Sequence, residues 1–238
     1  MAELLKMAIE AHGGLDRWNK VNALRVAASI TGAIWSIKGQ ADALTDVVIT
    51  AETKQERLTM DRPGHDKRTV FEPGQVLMQS ANGRQLDAND NPRKAFEGQT
   101  LQTPWEDVHV AYFSGEAMWT YLNLPFLLAQ PGFEIEELSS IQPEVEIWRR
   151  LKITFPDNVS SHTRTQICCF GPDRLLRRHD YTVDILGGSQ ALNYASDYRT
   201  VGGIVFPMTR RVIAYEGDYQ PVKDPVLVAI DLKEITLL

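Results

Sequence analysis

Between residues 163 and 215 apolar and polar side chains alternate with a period of two, broken only by turn residues. That spacing predicts four consecutive antiparallel strands. The first, 163–170, is rich in β-branched and aromatic residues and stops at Gly171-Pro172-Asp173, where proline presets φ and Gly and Asp tolerate a reversal. In the second, Leu175, Arg177, His179, Tyr181 and Val183 share one face; Leu176, Arg178, Asp180, Thr182 and Asp184 share the other. Gly187-Gly188 turns the chain into a third run, where Leu192, Tyr194, Ser196 and Tyr198 alternate with Asn193, Ala195, Asp197 and Arg199. Gly202-Gly203 supplies the next hairpin. Ile204-Val205-Phe206 opens the fourth strand with Pro207 inside it, and a residue that cannot donate to the ladder predicts an edge, a bulge or the strand's start.

The rest of the chain is built to curl, extend or cover that sheet. Residues 2–12 place Leu5, Ala8, Ile9 and His12 on one helical face and end at Gly13-Gly14. His12 is expected there as a cation near the helix C-terminus. Residues 25–38 read as one long strand with two partly apolar faces, and 47–61 as another. Close Pro-Gly and Asn-Gly reversals then mark an up-and-down sheet. Thr103-Pro104-Trp105-Glu106 has the spacing of a capping box with proline at the first helical position, predicting a helix over 104–122. Trp105, Val108, Tyr112, Trp119 and Leu122 are its large apolar residues, and Pro125 ends it. Phe126-Leu127-Leu128-Ala129 is a short apolar turn. Residues 134–138 and 144–155 return to strand, 217–225 form a loop and 226–233 the last strand. These parts predict one domain over 1–238, mainly β with helices (α+β). Its expected form is a single strongly curved antiparallel sheet of roughly ten strands, with an N-terminal and a central helix covering the concave side.

Composition narrows the function classes. A net charge of -6 and a pI near 5.4 exclude a nucleic-acid binder built on clustered Lys and Arg. The adjacent pairs Arg149-Arg150, Arg177-Arg178 and Arg210-Arg211 are each split to opposite faces by the strand period. The two cysteines, Cys168 and Cys169, are split likewise and are expected as half-buried strand residues rather than a disulfide, ligands or nucleophiles. No apolar run is long enough for a membrane-spanning helix. The N-terminus lacks a basic region followed by a long apolar run, so the expected location is the cytoplasm, or the periplasm if a leader has been trimmed.

A family resemblance rests on three features. Ala11-His12-Gly13-Gly14-Leu15-Asp16-Arg17-Trp18 ends the first helix and feeds a first long strand, a mid-chain helix interrupts the sheet, and Asp197-Tyr198-Arg199-Thr200-Val201-Gly202-Gly203-Ile204-Val205-Phe206-Pro207 stands late in the chain. Together these resemble the lipoprotein-localisation-factor superfamily, the LolA/LolB-like proteins. The resemblance implies a half-open, strongly curved antiparallel β-barrel with helices in its mouth. It also implies a concavity that holds acyl chains or other apolar ligands. The first residues of the sequence show no signal-peptide pattern and no cysteine, so against the carriers the expectation from the resemblance is apolar-ligand binding rather than lipoprotein traffic.

Catalytic spacings are missing. The histidines His12, His65, His109, His162 and His179 form no helical pair with a third ligand, and no nucleophile elbow, phosphate loop or dinucleotide glycine pattern is present. No cofactor or metal is expected. Arg177, His179 and Tyr181 on one strand, with Tyr194 and Tyr198 on its neighbour, would form a polar patch if their faces coincide and point into the concavity; otherwise they are ordinary cross-strand pairs. With Trp35, Tyr112, Trp119 and Phe126 they make the candidate ligand-binding set. The first reading is a binder of an apolar small molecule or lipid-like ligand. An enzyme using the patch around His179 and a protein–protein module using the sheet edge near Pro207 are the alternatives.

Overall fold

In the computed structural model, which describes residues 1–143, 145–217 and 219–238, the chain begins with the helices α1 (Glu3–Ala11) and α2 (Leu15–Trp18). Strand β1 (Ala23–Thr31) leads to a short helix, α3 (Ala33–Ile37). A run of hairpins follows: β2 (Val47–Glu52), β3 (Leu58–Arg62), β4 (Lys67–Glu72), β5 (Gln75–Ser80) and β6 (Gln85–Asn89). The long helix α4 (Asp107–Asn123) separates these from β7 (Glu134–Ile141), β8 (Trp148–Thr154), β9 (Thr165–Phe170) and β10 (Leu176–Val183). The chain closes with β11 (Ser189–Val201), β12 (Ile204–Glu216), β13 (Gln220–Val222) and β14 (Val228–Leu237).

Among the described residues there are fourteen strands, not ten, in one antiparallel sheet. Its order is β6-β5-β4-β3-β2-β1-β14-β12-β11-β10-β9-β8-β7, with β13 paired to β12 beside that path. The edge strands β6 and β7 do not pair, so the sheet is open. The predicted meander is present as β9 to β12 in consecutive pairing. The shortfall in count has local causes. Residues 47–61 are a hairpin, closed where Glu52 N donates to the Arg57 carbonyl at 3.0 Å. Strand β6 is almost wholly exposed, so no hydrophobic alternation marks it. The short β13 lies inside the predicted loop at 217–225. The strand predicted to begin at Glu144 begins at Trp148; Glu144 itself, like Asp218 in that loop, lies outside the described residues.

The long strand expected over 25–38 stops at Thr31. Gly32, at φ 120°, turns the chain, and a Cβ there would stand 2.5 Å from the Leu227 carbonyl oxygen. Ala33 N and Ile34 N then donate to the carbonyls of Val226 and Leu227, at 3.0 and 3.1 Å, so the segment before β14 captures these donors. Alternation of apolar residues could not distinguish this from continued strand.

Helix α4 starts three residues later than predicted. Thr103-Pro104-Trp105 is instead a strap held to α3: Trp105 N donates to the Lys38 carbonyl at 2.8 Å, and Lys38 Nζ donates to the Thr100 carbonyl at 2.7 Å. The capping box is real but shifted, with Glu106 as cap and Glu106 N donating to His109 Nδ1 at 3.0 Å. Every residue of α4 from Val108 to Asn123 is buried. It lies in the concavity, against β2 to β5, which is why its sequence lacks the polar stripe of a surface helix. Helix α1 buries Leu4, Leu5, Ala8 and Ile9 in the same core.

Pro207 is not at a sheet edge. Strand β12 runs between β11 and β14, and Pro207 sits between the bond from Val205 N to the His12 carbonyl and the first β14 partner at Thr209. Its missing donor falls in that gap in the ladder. His12 is not a surface cation either. It is 1% exposed, its Nδ1 donates to the Ala8 carbonyl at 2.7 Å, and burial lowers its pKa to about 4.

Candidate functional site

Strand register decides which side chains face the helix. His179 on β10 stands opposite Asn193 on β11, and Asn193 opposite Val212 on β12. Val212 stands opposite Val228 on β14. Two residues along, Arg210 faces Ala195 on one side and Ile230 on the other, and Ile230 continues to Ile30 on β1. These are inward positions. The opposite parity places Arg178 beside Tyr194 and Asp180 beside Leu192 on the outer face.

Between this inner face and α4 lies a cavity of about 360 Å³. Phe113, Ala117 and Tyr121, spaced by four on α4, reach into it, as does Met118. The facing wall includes Trp35 from α3, Tyr181, Val228 and Ile230. Ile37 and Leu101, both exposed, stand at its opening. Trp35 packs edge-on against Phe113, ring centroids 5.9 Å apart, and its indole N–H is spent on the Thr31 carbonyl at 3.2 Å. The wall is mostly apolar; besides Ser114, Ser189 and Gln190, it carries polar groups at two places.

One is the hydroxyl pair of Tyr121 and Tyr181, which hydrogen-bond to each other. Burial raises both phenols, Tyr121 to about 12, so both stay protonated. The other is His162, whose Nδ1 is 2.8 Å from Glu116 Oε1 and whose ring stacks on Phe113 at 5.1 Å. Glu116 was missed from the sequence. Its signal was there: a lone carboxylate inside the run Phe113-Ser114-Gly115-Glu116-Ala117-Met118.

Of the nine candidates read from the sequence, Trp35 and Tyr181 line the cavity. His179 faces inward but lies behind the tyrosine pair, its ring 5.1 Å from Tyr181 and 6.1 Å from Tyr121. Neither ring nitrogen has a partner, and burial holds its pKa well below the usual value. The structure places the other six elsewhere. Tyr112 packs on Phe71, and its hydroxyl accepts from Arg93 Nη1 at 3.3 Å. Trp119 donates its indole N–H to the Glu52 carbonyl at 2.8 Å, fixing α4 to the β2–β3 turn. Phe126 stacks on Trp18. Arg177 pairs with Asp173 at 2.8 Å and lies over the ring of Tyr198, which is half-buried. Tyr194 is on the outer face beside Arg178. The expected patch forms only in part: Arg177 meets Tyr198, but β11 presents Asn193, not Tyr194, alongside His179.

The outer face has its own buried pair. Arg178 donates to Asp180 through Nε at 2.6 Å and Nη2 at 2.8 Å, and Trp148 and Tyr194 lie within 5.8 and 5.6 Å of its guanidinium. Cys168 and Cys169 point to opposite faces as expected, but both are fully buried rather than half-buried, and burial raises both thiols.

No protein-family model and no curated protein sequence matches the chain. Solved structures do match. A LolA superfamily protein from Nitrosomonas europaea superposes with a TM-score of 0.56 at 9% identity, covering 99% of this chain and 92% of that one. A domain assigned to an outer membrane lipoprotein-sorting protein of Vibrio parahaemolyticus gives 0.55 at 9% identity, over 98% and 91%. A DUF1329 family protein from Desulfovibrio piger gives 0.54 at 10% identity, over 98% and 91%. Sorting lipoproteins to an outer membrane is work of the cell envelope, and this overturns the expectation of a cytoplasmic location. Near-complete coverage in both directions, with the open antiparallel sheet and the buried helix, means that the chain has the LolA-like fold.

Proposed function

We propose that the protein binds an apolar small molecule or lipid-like ligand in the cavity between α4 and the inner face of the sheet. The observation that carries this reading is the apolar hollow of about 360 Å³ in an otherwise continuous core. Protein interiors are close-packed, and a void of this size forgoes dispersion contacts on every wall unless something fills it. Its volume falls at the low end of the range of about 300–1,000 Å³ typical of ligand sites. Trp35, Phe113, Met118 and Tyr181 would supply the contact surface, and the opening at Ile37 and Leu101 the entry. The fold supports the same reading, since one structure that shares it is assigned to lipoprotein sorting. We take residues 1–238 as a single binding domain.

Titration with the neutral fluorophore N-phenyl-1-naphthylamine tests it. Saturable fluorescence enhancement is expected for the wild type. In Ala117→Phe, where a ring is placed in the hollow, affinity should fall at least about tenfold, the equivalent of roughly 1.4 kcal/mol. Absence of saturable binding by the wild type, or unchanged binding by the folded variant, rejects the proposal.

A further inference from the structure

Arg210 is the most anomalous charge in the molecule. It lies on the inner face of a central strand, 4% exposed. Its Nη2 donates to the Tyr121 carbonyl at 3.2 Å, and its guanidinium stands 4.9 Å from the centre of the Tyr121 ring. Nη1 has no partner. Among the described residues no carboxylate lies within ion-pair distance of it, although the other two buried arginines, Arg62 and Arg178, each have one. Leaving a buried cation uncompensated costs several kcal/mol, and such groups are found paired.

The surroundings of Arg210 are rich in donors. Tyr121 and Tyr181 share one hydrogen bond between two hydroxyls, so of their two hydrogens one is left to donate elsewhere. The Asn193 amide stands beside both hydroxyls with its Nδ2 and Oδ1 unpartnered, and both ring nitrogens of His179 are unpartnered, one a donor and one an acceptor in the neutral imidazole. Together with Arg210 Nη1 and the spare tyrosine hydrogen, the donors outnumber the acceptors. Arg210 sits directly behind Tyr121, and Tyr121 and Tyr181 both line the apolar cavity. Val212 and Ile230, its neighbours along and across the strands, line it too.

We infer that the cavity takes a single-chain amphiphile with a carboxylate head, the chain among Trp35, Phe113 and Met118 and the head against the Tyr121–Tyr181 hydroxyls, with Arg210 as the compensating charge. This rests on the proposed function and names its ligand class. The hollow of about 360 Å³ favours one chain over two. A carboxylate, which only accepts hydrogen bonds, answers the surplus of donors and the unpaired positive charge together.

The test compares decanoic acid, decanol and decylamine as displacers of N-phenyl-1-naphthylamine, in the wild type, Arg210→Met and Tyr181→Phe, each checked for folding by circular dichroism. The wild type should bind decanoate at least about tenfold more tightly than decanol, because its head group makes a charge-assisted hydrogen bond that the alcohol lacks. Arg210→Met, which replaces a buried charge with an apolar side chain of similar length, should remain folded and lose most of that preference while its decanol affinity stays within about twofold. Tyr181→Phe should reduce the preference in the same direction. Equal affinity of the wild type for acid and alcohol overturns the inference and leaves apolar binding standing. A preference for decylamine overturns it by assigning the head group to Glu116 and His162. If neither the fluorophore nor any decyl probe binds, the proposed function falls and this inference with it.

Discussion

Trp18 and Phe126 lie ring on ring, their centroids 4.3 Å apart and their planes within 9°. The stack joins the last residue of α2 to the turn that follows α4, and both rings are buried. Phe126 is thus a structural residue, away from the cavity wall. Phe126→Ala is expected to lower stability by about 3–5 kcal/mol, the usual result of emptying a buried aromatic site. N-phenyl-1-naphthylamine affinity should stay within about twofold. Urea denaturation and fluorophore titration on the same sample check both halves.

Gly115 sets how closely α4 approaches the sheet. A Cβ there would fall 2.5 Å from Phe71 Cβ and 2.6 Å from Phe71 Cγ. Alanine would gain up to about 1 kcal/mol in helix propensity, but overpacking a tight core costs about 1–3 kcal/mol. Because these contacts involve the base of the Phe71 side chain rather than its free end, the steric effect should win. Gly115→Ala is expected to be less stable than the wild type, as measured by the denaturation midpoint. A rise in stability would mean that α4 can slide outward.

Arg178 and Asp180 make a two-bond ion pair with both side chains under 5% exposed. Removing one partner strands the other. Asp180→Leu should cost about 3–5 kcal/mol, whereas the double replacement Arg178→Met with Asp180→Leu should recover most of the loss. A double-mutant cycle by chemical denaturation measures the coupling, and purely additive losses would show that the pair is not the source of the effect.

Stability should be greatest near pH 6.5. Glu56 is half-buried, its Oε1 shielded from solvent and unpartnered and its Oε2 accepting from Ser160 N at 2.9 Å, and this burial raises its pKa to about 9 from an ordinary 4.5. Its folded form holds the proton more firmly, so its contribution is full below pH 4.5 and is lost as pH rises towards 9. His12 and His179 act in the opposite sense. Burial lowers both below 6.5, His12 to about 4, so the folded state resists their protonation and stability falls as pH drops from 6.5 towards 4. Each unmatched proton contributes a slope of at most about 1.4 kcal/mol per pH unit. Thermal melts from pH 5 to 9 should therefore trace a dome. Glu56→Gln should flatten its alkaline side and His12→Gln its acid side; an alkaline limb unchanged by Glu56→Gln would rule out Glu56 as its source.

By itself the sequence determined the antiparallel meander, the aromatic mid-chain helix, the opposite orientation of the two cysteines and the resemblance to the LolA/LolB-like proteins. These are local properties. Period-two alternation, paired glycines and a proline-bounded apolar stretch act over a few residues, and each survives being read without its neighbours. The features that failed were those whose local pattern fits two structures. Residues 33–37 alternate as well in a strand as in a helix until the carbonyls of Val226 and Leu227 claim their amides. Thr103-Pro104 reads as a helix start until Lys38 draws Trp105 into a strap.

The tertiary structure alone decided which residues share the cavity. Alternation says that Tyr194 and Asn193 point opposite ways, but only the register of β10 on β11 says that Asn193 accompanies His179 inward. The same long-range pairings bring Tyr121 from the helix to Tyr181 on the sheet, sixty positions later, and set Arg210 behind them. A charge on an alternating strand reads as solvated when the chain is taken piece by piece. Here the curl of the sheet around α4 buries Arg210, and burial without an acid partner makes it the residue that selects the ligand we infer.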